Sequence, residues 1–467
     1  MSKKTIGTLI IVGVWAAIWF YPVPAGLKPQ AWHLFAIFLA TVVGFILNPF
    51  PNGIIALSSL VLAVFTGTLK LPEVLTAFSG TTVWLVVSAF LFAKGFAKTG
   101  LGKRIAYSMI RAFGDSSLKL AYSLAICDIF LGPVTPSNTA RAGGVLFPIV
   151  NSLCEAFDSR PGASAKRIGS FLMSSVFHFD IVVSAMFLTS MAANPLAAEL
   201  AGKTVGAEIT WGRWAMAAIV PGLIGVLLTV YVVYLLCPPE VKRTPEAKAL
   251  AAQELKKMGP MSRREGIMLG VFVLSLALWA TSAITKFEAT QVALLGVCVM
   301  LFCDVLTWDD VIQEHKAWDT LIWMGSVVCI AGFLNSSGFI DWFTAGVGAR
   351  LGGLPWTMAL AIAFLVYLYS HYAFASMTAH VTAMYAALVA IAVAAGAPVF
   401  LASFVIAISA NICGCLTHFG TGPAPIYFGA GYVDQATWWR NGFVMSLLHV
   451  VTWLGIGSVW WKVLGYW

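Results

Sequence analysis

Ser137, Asn138 and Thr139 set two hydroxyls and an amide side by side, and Arg141 adds a guanidinium two residues on. Neutral donors grouped in this way hold a small anion, or a cation stripped of water, without attacking it. A second copy, Ser376-Met377-Thr378-Ala379-His380, begins 239 residues after Ser137 and matches Ser137-Asn138-Thr139-Ala140-Arg141 position by position. His380 therefore answers Arg141, and Met377 answers Asn138. Both copies lie between apolar stretches, where an ionisable side chain is costly and is read as functional unless a structural partner is found. For Arg141 such a partner is present in Asp128, so substrate binding and structural pairing both stand open. For His380 and His418 a satisfied core histidine and a substrate or proton role also stand open. His178-Phe179-Asp180 reads as a local hydrogen-bonded pair rather than a metal site, and His371-Tyr372 as interfacial. No nucleophile–base pair or metal-ligand set is visible in the spacing, so the expectation is a non-enzyme without a cofactor.

The elements around these residues make them a site. Ala121 to Leu131 and Val145 to Leu153 are each too short to cross a bilayer, which takes about 20 apolar residues. Pro133 and Pro136 stop the helix arriving from the first segment, because proline lacks the amide donor and clashes with the preceding turn. Ser137, Asn138 and Thr139 then cap the next helix. The outcome is a hairpin of two half-helices with a polar tip, over about Leu118 to Phe157; the second hairpin covers about Pro355 to Ala395. Helix N-termini carry about half a positive charge and free N–H groups. Two such tips facing each other suit a molecule with two carboxylates. Around Ser190 to Asn194 and Thr417 to Gly422 two further helices are interrupted, adding Ser190, Asn194, Thr417, His418 and Gly420 to the candidate residues. Asn194-Pro195 disfavours helix because a residue before proline is pushed towards extended geometry. Repeated pairs of interrupted segments point to a secondary transporter with its site between repeats.

Composition places all of this in a membrane. The 467 residues are 60% hydrophobic and 10% charged. Apolar spans recur throughout, near Thr5–Tyr21, Ala31–Leu47, Gly53–Leu69, Thr82–Ala97, Ile168 onward, Trp214–Leu236, Gly266–Ala283, Val292–Leu306, Thr320–Leu334, Phe400–Phe428 and Asn441–Leu464. The reading is an all-α membrane protein of about 11 transmembrane helices with two re-entrant hairpins, in halves 1–237 and 266–467 joined by a basic linker, 238–265. Lys98, Lys103, Arg104 and Arg111, like the linker's lysines and arginines, mark the cytoplasmic face. That puts the N-terminus inside, the C-terminus outside, and the hairpins entering from opposite faces as an inverted repeat. The net charge of +8 fits positive-inside topology and anionic lipid; no basic reading face supports nucleic acid. Tryptophans at span ends, such as Trp438-Trp439 and Trp460-Trp461, fit an aromatic belt. The eight cysteines lack zinc-like spacing and read as small buried hydrophobes.

With both tips in view, the chain resembles the divalent anion/sodium symporter family, and within it the exchanger branch. The resemblance covers essentially the full length. It is carried by Thr135 to Gly144, Ser184 to Pro195, Leu416-Thr417-His418-Phe419 and Phe428 to Tyr432. It implies a homodimer, elevator movement of a transport domain, and exchange of di- or tricarboxylates of the malate, succinate, 2-oxoglutarate, citrate or tartrate class. Sodium-coupled members read Ser-Asn-Thr at both tips. Here the second has Met377, whose thioether is no ligand for sodium, while a sodium site near Ser137 and Asn138 is left open. The resemblance implies antiport, with Arg141 and His380 as fixed cations; sodium-coupled dicarboxylate symport is the alternative.

Overall fold

The computed structural model describes residues 2–348 and 353–467. Among the described residues, nine helices are long and apolar enough to cross a membrane, and four apolar helices are shorter. Three of the nine, Ser117–Val134, Trp356–Ala373 and Met377–Ala394, are arms of the two hairpins.

Caps set where these helices begin. Ser116 Oγ accepts from Lys119 N at the start of Ser117–Leu131, and Thr210 Oγ1 from Arg213 N at the start of Trp211–Leu236. Ser262 and Glu265 form a reciprocal capping box that opens Arg263–Ala280. Gly100, at φ +77°, separates the crossing helix Thr81–Thr99 from the helix Leu101–Phe113. Only a residue without a Cβ takes that left-handed turn cheaply. Leu101–Phe113 is amphipathic: Leu101, Ala106 and Ile110 are buried, whereas Lys103 and Arg111 are exposed. Sequence reading passed over this helix because its apolar residues are spaced for one face and never form a continuous run.

The stretch read as a linker is itself structured. Pro245–Met258 is a helix packed on Leu101–Phe113. Arg104 donates to Glu265 Oε1 at 2.6 Å and to the Gly259 carbonyl at 2.9 Å. Ahead of that helix, Ser117 N donates to the Lys242 carbonyl and Thr244 N to the Asp115 carbonyl, fastening the chain to the foot of the first hairpin.

Two apolar cores organise the packing. The smaller gathers Ala31, Leu34, Leu60, Ala63 and Ile330 from the helices Pro29–Leu47, Asn52–Phe65 and His315–Ser336. The larger surrounds Gly169–Met186, in which every residue except Ser170 is buried. A helix with no face left to the outside belongs at the centre of its fold. It stops at Met186; the chain runs through Phe187–Ala192 without helix and resumes as Ala193–Val205. The second interrupted helix, Val399–Ile412, passes through a short 3₁₀ turn at Cys413–Cys415 and resumes only at Ala424–Gly429.

Candidate functional site

The two hairpins repeat their local conformation in register. A 3₁₀ turn precedes each tip, Gly132–Val134 in the first and His371–Ala373 in the second. Ser137 Oγ accepts from Ala140 N at 3.2 Å, and Ser376 Oγ from Ala379 N at 3.3 Å. Arg141 N reaches the Ser137 carbonyl at 3.0 Å, as His380 N does that of Ser376. Each returning arm then widens into a π-helical turn, Thr139–Leu146 and Val381–Tyr385. Such turns are rare and gather at functional sites.

Both hairpins are tied to adjacent residues of the second break. Asn138 Nδ2 donates to Thr421 Oγ1 at 2.7 Å, and His371 Nε2 lies 2.8 Å from the Gly420 carbonyl. Gly422 is seated against Thr139: a Cβ there would stand 1.8 Å from Thr139 Oγ1. A Cβ at Gly420 would stand 2.8 Å from Thr417 Oγ1, and one at Gly414 3.2 Å from Met377 Cε. Ser376 Oγ and Thr378 Oγ1 are 3.0 Å apart. The buried Thr417 hydroxyl has no partner among the described residues, so this break holds an unused hydrogen-bonding group. Thr421 was not singled out in the sequence.

Arg141 is fully buried, and its donors are all taken within the protein. Nε donates to Asp128 Oδ1 at 2.6 Å. The two terminal nitrogens reach Asp180 Oδ1 at 2.7 Å, Ser184 Oγ at 2.7 Å, and the carbonyls of Thr135 at 3.1 Å and Ser190 at 3.0 Å. A guanidinium has five N–H groups, and these five acceptors occupy them. Of the two readings open for Arg141, the geometry present is the structural pair with Asp128, extended by Asp180. The expected His178–Asp180 pair is not formed, and that reading is corrected: residues two apart on a helix point to different sides, and Asp180 points at Arg141. His178 Nδ1 is buried without a partner among the described residues.

Ser190 and Asn194 support the first break. Ser190 Oγ donates to the Ser184 carbonyl at 2.6 Å, and Asn194 Nδ2 to the Ser184 and Phe187 carbonyls at 2.8 and 2.9 Å. Asn194 Oδ1 accepts from Asn411 Nδ2 at 2.7 Å, which ties the first break to the second interrupted helix. Backbone released from a helix inside a membrane has to be satisfied in this way, at a cost of about several kcal/mol per group if it is not.

His380 is enclosed in the second hairpin, stacked on Phe374 at 4.2 Å and tilted on Tyr367 at 4.0 Å. Its Nδ1 faces His371 Nδ1 at 3.0 Å. His371 was expected at the interface and is instead fully buried, because the 3₁₀ turn rotates it into the hairpin. His418 is half-buried and accepts from Trp439 Nε1 at 2.9 Å.

Residues 2–467 match the family model described as the sodium:sulfate symporter transmembrane region. The putative malate transporter YflS of Bacillus subtilis is 49% identical over 467 residues, covering 100% of this chain and 98% of that protein. Dicarboxylate transporter 1 of Arabidopsis thaliana chloroplasts is 46% identical, over 96% and 81% of the two chains. The citrate/succinate antiporter of Escherichia coli is 36% identical, over 99% and 98%. Among solved structures, the YdaH transporter of Alcanivorax borkumensis superposes with a TM-score of 0.56 at 11% identity, covering 99% of this chain and 98% of that one, a likeness of fold. With its apolar helices, paired hairpins and full-length match, this chain is a multi-pass membrane transport protein, not an enzyme, and belongs to the divalent anion/sodium symporter family.

Proposed function

We propose that this protein exchanges small di- or tricarboxylates across the bacterial inner membrane, one for another. The observation that carries the reading is the pair of ties at Gly420 and Thr421, which join the hairpins to neighbouring residues of one helix break. Ser137, Asn138, Thr139, Ser376, Thr378 and Thr417 are the residues assigned to substrate. Gly420 lets the chain pass close to Thr417, and His418 lines the approach. Hydroxyls, amides and helix N-termini at that point suit the two ends of a dicarboxylate. Arg141, Ser190 and Asn194 are assigned to positioning: they hold the first hairpin and the first break in shape. His380 does the same for the second hairpin.

Exchange is favoured over sodium symport by Met377, which sits where a sodium-coupled tip needs an oxygen; Arg141, already paired with Asp128 and Asp180, does not supply the free cation expected of it. The relatives named malate transporter, dicarboxylate transporter and citrate/succinate antiporter support the same substrate class. The two apolar cores fit an elevator, in which a transport unit around Gly169–Met186 slides against a scaffold formed by the smaller core. Eleven crossings, an inverted repeat, a dimer through the scaffold, a cytoplasmic N-terminus and an external C-terminus complete the proposal.

Proteoliposomes loaded with one dicarboxylate and offered a panel of others outside test it. Uptake is expected only into loaded vesicles and is expected to persist when choline replaces sodium. Sodium-dependent uptake into empty vesicles would instead establish the symport alternative, for which the intact Ser137-Asn138-Thr139 tip is the specific support.

A further inference from the structure

His371, His380 and Cys413 bring two imidazoles and a thiol together inside the second hairpin, with the ligating atoms all within 4.8 Å of one another. The three are buried, and they come from three places: the 3₁₀ turn before the tip, the first turn after it, and the bend of the second interrupted helix. Sequence spacing gave no hint of the set, since 33 residues (413 minus 380) separate its last two members.

The outer nitrogens govern what the inner ones present. His371 Nε2 lies 2.8 Å from the Gly420 carbonyl, which only accepts, so Nε2 carries the hydrogen and Nδ1 keeps its lone pair. His380 Nε2 lies 2.9 Å from Ser370 Oγ, a hydroxyl that also has the Tyr367 carbonyl within reach as an acceptor at 2.9 Å. With its proton on Tyr367 the hydroxyl accepts from His380, and His380 Nδ1 also keeps a lone pair; with that proton turned to His380 Nε2, His380 Nδ1 donates to His371 Nδ1 instead. In the first arrangement two lone pairs face each other at 3.0 Å, and a cation held with the Cys413 sulfur satisfies both. An N–H on a carbonyl or hydroxyl behind each ring is how metal-ligating histidines are oriented.

We propose that His371, His380 and Cys413 form a binding site for one soft monovalent cation of the Cu⁺ class. Sulfur with imidazole selects Cu(I) or zinc over hard ions. Charge decides between the two. On binding, Cys413 loses its proton to solution, and thiolate plus Cu⁺ is neutral, whereas a divalent ion leaves a net positive charge in a dry interior. The site is independent of which molecules the protein exchanges.

Ag⁺, redox-stable and equally soft, is the probe. Purified wild-type protein in detergent is expected to take up one more equivalent than Cys413→Ala, with a rise in Tm that the variant lacks; Cys127→Ala, at a buried thiol elsewhere, is expected to keep both. Should Cys413→Ala not elute as a single species, X-ray absorption of silver-loaded wild type decides, with two nitrogens and one sulfur around the tightest-bound ion. Equal uptake by wild type and variant, or a shell of sulfur alone, overturns the site and leaves a proton only between the imidazoles.

Discussion

Arg141 and Asp128 face each other across the inside of the first hairpin at 2.6 Å, and neither side chain reaches solvent. Asp180, on the adjacent buried helix, approaches the same guanidinium at 2.7 Å. The arrangement makes Arg141 the brace on which the tip's shape depends. Removing one member of a buried pair costs about 3–5 kcal/mol, so Arg141→Ala is expected to lower Tm sharply and to reduce the yield of folded protein. Arg141→Lys keeps the charge and loses the fork that serves five acceptors, so it should fall between the two. Because two carboxylates share the one cation, Asp128→Asn alone should rescue Arg141→Ala only in part, and Asp128→Asn with Asp180→Asn further. Thermal melts of the purified series check this; a normal melt for Arg141→Ala would refute the brace.

At the first tip, Gly422→Ala would force a methyl into the space of Thr139 Oγ1, 1.8 Å away. The tip has to retreat while the helices on either side remain intact. Misplacing a binding group by about 1 Å can cost about 100-fold in rate. Exchange is expected to fall by about that factor with Tm little changed, as measured by counterflow in proteoliposomes.

Asn138→Ala removes the single side-chain bond between that tip and Thr421. One neutral hydrogen bond contributes about 0.5–1.5 kcal/mol, so Tm should fall by only a few degrees, while apparent substrate affinity weakens far more. A loss confined to stability would move Asn138 from binding to support.

The Arg104–Glu265 pair gives a prediction in pH. The bond from Arg104 holds the Glu265 carboxyl below the usual glutamate value of 4.5, as do the hydrogen bonds from Ser262. A depressed carboxylate contributes stability that is present above its unfolded value and is lost as pH falls through its folded one. Wild type should therefore lose Tm from about pH 4.5 downward. Arg104→Gln should be less stable by about 1–3 kcal/mol at pH 7, and its Tm should respond less to acid. Parallel curves for the two proteins would show that the pair does not carry the effect.

Much of this fold was legible because breaks in a membrane helix need both a cause and a cure, and both are written in residue types. Pro133 and Pro136 supply the break, and Ser137 the cap; Ser376, with no such proline before it, was located by its match to Ser137. Asn194-Pro195, read as part of the first break, instead opens the helix that resumes at Ala193, because proline in a first turn gives up no intrahelical bond. What stayed hidden was partnership across the fold. Asp180 reads as a neighbour of His178 in the chain, yet helical geometry turns it towards Arg141. His371 reads as interfacial, and one short turn carries it inside. Thr421 carries no signal beyond lying in the second break. Local breaks are encoded locally, while the acceptor that fills a donor comes from packing.

The helix Pro245–Met258 holds to Leu101–Phe113, and Arg104 grips Gly259, Pro260 and Glu265 beyond it. The segment from Pro245 to Glu265 is thus fastened by side chains as well as by the peptide bond. A chain nicked between Met258 and Gly259 is therefore expected to stay together, its two pieces co-eluting in detergent, because these contacts do not depend on that bond.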